Sequence, residues 1–460
     1  MTPSMFESSA SSAPREGLYG LPRGAARPRG LRAGADAFAE SPYFAAVLLG
    51  TAAWFLLLND SRGAVTAMAL AFCTVMLFCR DVLCALLPLL LALLCTVDHY
   101  EDLRYFLDLW WLAAPVLLAV TVRLVRTPVR RAGRCRRGLL AVSAAVLLGG
   151  LGRLPLEQAL SPLALYYTLG LSAGMLAVYR LARGTVSSGA EARARFADTL
   201  YAAGIFAAFL VLRVYCTQLH RFLRTGATLY FSYRNYCATM LLLALPVPFL
   251  RALEQPRHLM SAGVLYLALL LSGSRSGLLF GTVLLLLAAA GLLHWDPARR
   301  GTYLQLLQRW GIPAAAFTVF LALVLFSERF SHGLLTEADA DRVSFLRRAL
   351  RDFLDNPLFG QGLGSRENAS VFSGVPGSLV FYHNYVAQIL GSLGLAGAAA
   401  YGLQLRNRVV LLRRSWNPQT AALGLSALGM LLMSMTNPGA FCPAPYELLM
   451  VTLFALLEKK

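Results

Sequence analysis

Apolar runs of roughly bilayer-spanning length follow one another from residue 43 to residue 457, and no other feature of the chain restricts its fold so strongly. Hydrophobic residues make up 57% of the 460 and charged residues 14%. A single soluble core stops growing at a few hundred residues, so this much apolar surface has no place in a water-soluble domain of the same length. The expected fold is therefore all-α: a polytopic transmembrane helical bundle of about 12–14 spans, the first near 43–60 and the last near 443–457. Residues 1–40, rich in Arg, Pro, Gly and Ser, lack the apolar segment of a signal peptide and read as a disordered basic tail; residues 41–460 read as one transmembrane domain.

The net charge of +18 would suggest nucleic acid if the basic residues formed one solvent-facing patch. Instead they are dispersed through the short loops between apolar runs, where positive-inside bias places them, and no nucleic-acid partner is expected. With the tail set inside, alternate counting puts Arg126–Arg137, Arg180–Arg195, Arg299–Arg300 and Arg406–Arg414 on the cytoplasmic side, and both termini with them. The eight cysteines show no metal-ligand spacing and mostly sit within apolar runs, as Cys73, Cys84 and Cys95 do; they read as small packing residues, with no metal expected.

The same counting leaves four polar segments outside: 97–102 with His99, 216–234 with His220 and Arg234, the Ser272-Gly273-Ser274-Arg275 turn, and a long loop over 328–382 that ends at His383-Asn384. Arginines facing outward run against the usual bias, so these are the candidates for function. Within the long loop, Val343, Leu346, Leu350, Phe353 and Leu354 recur at helical spacing, predicting an amphipathic helix over 341–355 with Asp339 or Asp341 as its cap. Asn356-Pro357 stops it, and Gly360, Gly362 and Gly364 read as a flexible turn. These glycines follow no strand and precede no P-loop lysine, which excludes a nucleotide loop.

Three stretches carry a family resemblance. His383-Asn384, nine residues, then Gly394-Leu395-Ala396-Gly397 resembles the H-N-x9-G-x-x-G signature of bacterial O-antigen ligases. Upstream, Leu269–Leu287, with Ser274-Arg275-Ser276-Gly277 inside it, resembles an apolar-Ser-Arg-Gly-apolar segment of the wider O-antigen ligase/polymerase superfamily. Between them, Arg342 followed by Asp355-Asn356-Pro357-Leu358-Phe359-Gly360-Gln361-Gly362 resembles its R…(D/E)-(N/H)-P-l-x-G-x-G stretch. The order and spacing match across roughly residues 200–405.

The resemblance implies a membrane glycosyltransferase of the bacterial inner membrane, multi-pass, with a periplasmic active site and neither nucleotide nor metal nor other cofactor. It would move a polysaccharide from undecaprenyl pyrophosphate to a sugar hydroxyl of lipid A–core, with inversion. O-antigen polymerase and protein O-oligosaccharyltransferase are the related alternatives; a lipid-linked oligosaccharide flippase is the alternative of another class. Such chemistry needs cations at a diphosphate leaving group, and guanidinium is permanently charged and bidentate toward phosphate. Arg275 and Arg342 are the expected catalytic arginines, with Arg234, His220, Arg347, Arg348 and Asn384 as binding residues and His383 as general base toward the acceptor hydroxyl. On position alone each arginine could equally be an interfacial or solvated charge.

Overall fold

The computed structural model describes residues 31–99, 103–128, 133–151, 162–220, 234–311, 337–363, 382–437 and 445–459, with 316, 319 and 320. Among these there is no strand: the chain is an all-α, polytopic membrane protein. Its α-helices are α1 (Leu31–Ala39), α2 (Pro42–Leu57), α3 (Ser61–Phe78), α4 (Leu86–Cys95), α5 (Leu103–Asp108), α6 (Ala113–Arg126) and α7 (Arg134–Leu151). They continue as α8 (Pro162–Leu169), α9 (Met175–Arg183), α10 (Gly189–Thr217), α11 (Arg234–Ala244), α12 (Val247–Ala252), α13 (Leu259–Leu271), α14 (Arg275–Trp295) and α15 (Arg300–Leu306). The last are α16 (Glu337–Asp355), α17 (Tyr385–Arg414), α18 (Pro418–Ser434) and α19 (Pro445–Leu457). Among the described residues, five stretches are long and apolar enough to cross a membrane, and four shorter apolar helices accompany them.

Helix starts follow from the sequence. The first N–H groups of a helix lack partners within it, and short polar side chains supply them. Ser41 caps α2 ahead of Pro42, Asp60 caps α3 through Gly63 N (2.8 Å), and Ser188 caps α10. Asn417 and Thr420 form a reciprocal capping box on α18. Residues 31–39, which composition assigned to the disordered tail, form α1; the Asp36 carboxylate there accepts from the backbone N–H of Arg80 (2.7 Å).

The core centres on α10 and α11, where Cys237 to Ala244 are all buried. Close helix packing in lipid favours small residues at the contact. Gly204 of α10 lies against Ala244, and Gly277 of α14 against Ala238, leaving no room for a methyl group at either glycine.

The strongly basic short loops gather at one end of the bundle. Arg180 donates to the carbonyl of Thr127 (3.0 Å), Asn407 to that of Arg134 (3.1 Å), and Arg193 to Gln419 Oε1 (3.1 Å). Trp295, just ahead of Arg299 and Arg300, meets Trp416 at 5.9 Å between ring centroids. The ends where α11, α14 and α17 begin lie opposite, and there the polar segments singled out from sequence converge.

Candidate active site

Helix α17 is not the single membrane helix its apolar run suggests. Gly394 has φ 60° and ψ −154°, a conformation essentially closed to residues with a side chain, and it divides α17 into α17a (385–393) and α17b (395–414). Tyr385 and Tyr401 are sixteen positions apart, about 24 Å along a continuous helix. Their rings nevertheless meet edge-on with centroids 5.7 Å apart, so α17a folds back sharply against α17b. Gly397 lies at that contact: a Cβ there would stand 2.3 Å from Leu393 Cβ. The spacing in H-N-x9-G-x-x-G thus acquires a physical meaning. The nine residues are the length of α17a, the first glycine is the vertex, and the second admits the returning arm.

A break inside a helix strands N–H groups on one side and carbonyls on the other. The Asn356–Gly362 stretch supplies both. Leu395 N–H donates to the Pro357 carbonyl (2.8 Å) and Ala396 N–H to that of Leu358 (3.0 Å). In return, Gln361 and Gly362 N–H groups donate to the carbonyls of Gly391 (2.8 Å) and Ser392 (2.9 Å). Gly360 (φ 66°) passes so close that a Cβ would lie 2.4 Å from the Ser392 carbonyl carbon. The glycines expected to form a flexible turn therefore form a docked cap; Gly364 lies outside the described residues.

At the free end of α17a, Asn384 caps the helix through Ala387 N (3.0 Å) and donates from Nδ2 to the Met435 carbonyl (2.9 Å). Asn384 is therefore a positioning residue for the histidine before it. His383 is half-buried in a left-handed conformation (φ 52°), uncommon for a residue other than glycine. Helix α16 packs beside it, with Phe345 5.2 Å from the imidazole between ring centroids. Partial removal from water, and then the charge of Arg342, push the His383 pKa below its ordinary 6.5. The neutral imidazole is accordingly the form present at neutral pH.

Tyr382 joins the loop helix to this segment. It is 1% exposed, and its hydroxyl donates to Asp352 Oδ2 (2.5 Å), which Arg348 Nε also approaches at 3.7 Å. Burial and the Asp352 carboxylate together drive the phenol pKa well up, so it stays a donor. Its backbone N–H donates to the fully buried Gln388 (3.2 Å), and Gly391 leaves space for its ring. In the sequence Asp352 reads as a helix charge, since nothing there couples it to a tyrosine thirty positions later. Because a hydrogen bond to a charged group is worth about 1.5–3 kcal/mol, Tyr382→Phe is expected to lower activity about tenfold. Asp352→Asn, which keeps an acceptor oxygen, should retain most activity in the same assay.

The other arginines divide into two groups. Arg275 and Arg234 are the first residues of α14 and α11, and one polar network binds those two starts together. Ser274 Oγ caps α14 (3.2 Å to Gly277 N) and donates to Asn235 Oδ1 (2.8 Å), while Asn235 Nδ2 donates to Asn437 Oδ1 (3.0 Å). Asn437 follows the end of α18, two residues after the Met435 carbonyl that holds Asn384. Arg234, Arg275 and His383 therefore share one end of the bundle, at three helix N-termini. Asn235 and Asn437 were missed from sequence; short polar residues at the mouths of apolar runs were the available signal. A guanidinium on a helix N-terminus sets positive charge against the positive end of the dipole, which costs about 0.3–1 kcal/mol. That arrangement is explicable where an anion is to be bound.

Arg347 is exposed, Arg348 serves Asp352, and His220 is exposed beyond the end of α10. His99 stacks on Tyr105 (4.1 Å) and contacts Ser61 (3.1 Å), a structural anchorage. Arg221, Arg224, Arg329 and Arg366 lie outside the described residues. Asp339 and Asp341, expected as caps, fall inside α16, which starts earlier at Glu337.

Residues 260–402 match the family model described as O-antigen ligase, a stretch that runs from α13 through Arg275, α16 and His383 to α17b. No curated protein and no solved structure matches the chain. Over this segment the chain is similar to the O-antigen ligase family of the O-antigen ligase/polymerase superfamily.

Proposed function

We propose that the protein is an O-antigen ligase, transferring a polysaccharide from undecaprenyl pyrophosphate to a sugar hydroxyl of lipid A–core on the periplasmic face of the bacterial inner membrane. The observation that carries this reading is the packing of α16, through Phe345, beside the half-buried His383, at the same end of the bundle as the arginine-bearing helix starts of α11 and α14. The gathering of the basic short loops at the opposite end supports the orientation, since positive loops stay cytoplasmic.

In this mechanism Arg275 and Arg234 hold the donor diphosphate beside the helix N-termini, and Arg342 closes over it from α16. Guanidinium groups preorganised where charge develops stabilise the departing undecaprenyl pyrophosphate as the glycosidic C–O bond breaks. His383 takes the proton from the acceptor hydroxyl, whose oxygen attacks the anomeric carbon from the opposite face. One displacement gives one inversion. Asn384, Tyr382 and Asp352 fix the imidazole in place.

O-antigen polymerase shares the donor and differs in the acceptor, a second lipid-linked glycan. Cells lacking the gene separate the two. Loss of a ligase is expected to leave full-length polymer on its lipid carrier with bare lipid A–core, as seen on gels of extracted glycolipids. Single repeat units on lipid A–core would instead identify a polymerase.

A further inference from the structure

Helix α16 carries an unexpected face. Its apolar residues Val343, Leu346, Leu350 and Leu354 do not pack on the bundle: they are 48%, 45%, 58% and 65% exposed. The face toward the bundle is formed instead by Arg342, Phe345, Ala349, Asp352 and Asn356, of which Ala349 and Asn356 are buried. At about 100° per residue, the four exposed aliphatic side chains occupy one arc of about 80°. Arg347 and Arg351, both exposed, come next around the helix, followed by the exposed Ser344 and Asp355. The circuit therefore reads bundle, aliphatic, guanidinium, polar. A water–bilayer boundary imposes that order on a helix lying in its plane, with arginines at the phosphates between the acyl chains and water.

The connection of the helix points the same way. Helix α17b runs from the apolar stretch at Leu395 to the basic residues Arg406–Arg414. Leu395 and Ala396 are hydrogen-bonded to Pro357 and Leu358, in the turn that follows α16 directly. The C-terminal end of α16 is thereby tied to the membrane helix α17b, and Leu358 beside it is 62% exposed.

We propose that α16 is an interfacial helix whose Val343–Leu346–Leu350–Leu354 stripe is embedded in the acyl chains of the adjacent leaflet, with Arg347 and Arg351 on lipid phosphates. The occupant of this face is the bilayer, and the helix holds Phe345 against His383. This assigns Arg347, first expected to contact substrate, to the membrane. The proposal is independent of which acceptor the enzyme uses.

The test uses the full chain in nanodiscs of phosphatidylethanolamine and phosphatidylglycerol, with the exposed Cys216 replaced by Ser. Leu350→Cys, Leu354→Cys and Asp355→Cys each carry an environment-sensitive fluorophore, read against a quencher on lipid acyl chains and against aqueous iodide. Residues 350 and 354 are expected to be quenched several-fold more by the lipid probe than residue 355, with the reverse order for iodide. Iodide quenching of all three equally would overturn the proposal, as would protection of residues 350 and 354 from both quenchers, the sign of a covering protein. Wild-type protein photolabelled with a diazirine-bearing phosphatidylglycerol gives a check without substitution: lipid adducts are expected on the peptide spanning 343–358, and their absence beside labelled spans contradicts it.

Discussion

Replacing His383 by Ala, Asn or Arg is expected to reduce glycan transfer by about 10²–10⁴-fold, the usual contribution of a general base, while the protein inserts into the membrane normally. The three variants separate three explanations. Asn tolerates the left-handed backbone that His383 adopts, so its loss of activity reports on the imidazole and not on a strained turn. Arg keeps a positive charge near the diphosphate but accepts no proton at neutral pH. A strongly active His383→Arg would make the residue an electrostatic partner, and a strongly active His383→Ala would remove it from the chemistry. The pH profile must agree. The pKa of His383 lies below 6.5 because of partial burial and Arg342, so the base is already deprotonated at neutral pH. Activity should hold from neutral down past 6.5 and fall as the pH drops through the lowered pKa. Arg342→Gln removes the repelling charge and should move that acid limb upward in pH, besides slowing transfer.

Gly394→Ala is expected to be strongly damaging. Its backbone sits in a region populated essentially by glycine, a strain of about 1–3 kcal/mol for other residues. The added Cβ would also lie 2.6 Å from the Pro357 carbonyl oxygen and 2.6 Å from the Leu358 carbonyl carbon, backbone atoms that are themselves pinned by hydrogen bonds to α17b. Relief requires undocking the turn, which uncaps both arms of α17 and frees the His383 segment. Gly402, eight residues further along α17b, has nothing within 4 Å of where an added methyl would stand, and there Ala should be neutral or add about 0.5–1 kcal/mol. Thermal unfolding in detergent, followed alongside transfer, reads the contrast: a lowered melting temperature and lost activity for Gly394→Ala, neither for Gly402→Ala.

The parts of this protein visible in its sequence are those governed by local rules. Apolar run length identified the membrane helices, while starts such as those of α3 and α10 lie earlier, at the capping residues Asp60 and Ser188. The order of motifs singled out Arg275, Arg342 and His383. Long-range geometry was not legible. Gly394 inside an apolar run reads as an ordinary packing glycine, since the reason for its conformation is the backbone of residues 357–362. Tyr382 and Asp352 are unremarkable until folding sets them 2.5 Å apart. The aliphatic spacing of α16 predicted a helix correctly, but periodicity alone does not say whether an apolar face meets protein or lipid.

The central claim is chemical transfer from a lipid-linked diphosphate, and purified protein tests it most directly. Incubated with undecaprenyl-pyrophosphate-linked polysaccharide and lipid A–core in one accessible leaflet, with chelator and without nucleotide, the wild-type chain should produce polysaccharide-bearing lipid A–core and release undecaprenyl pyrophosphate in equal amounts. His383→Asn should produce neither. Movement of the intact donor across the bilayer with no new glycosidic bond, or elongation of the donor with lipid A–core untouched, would contradict the account.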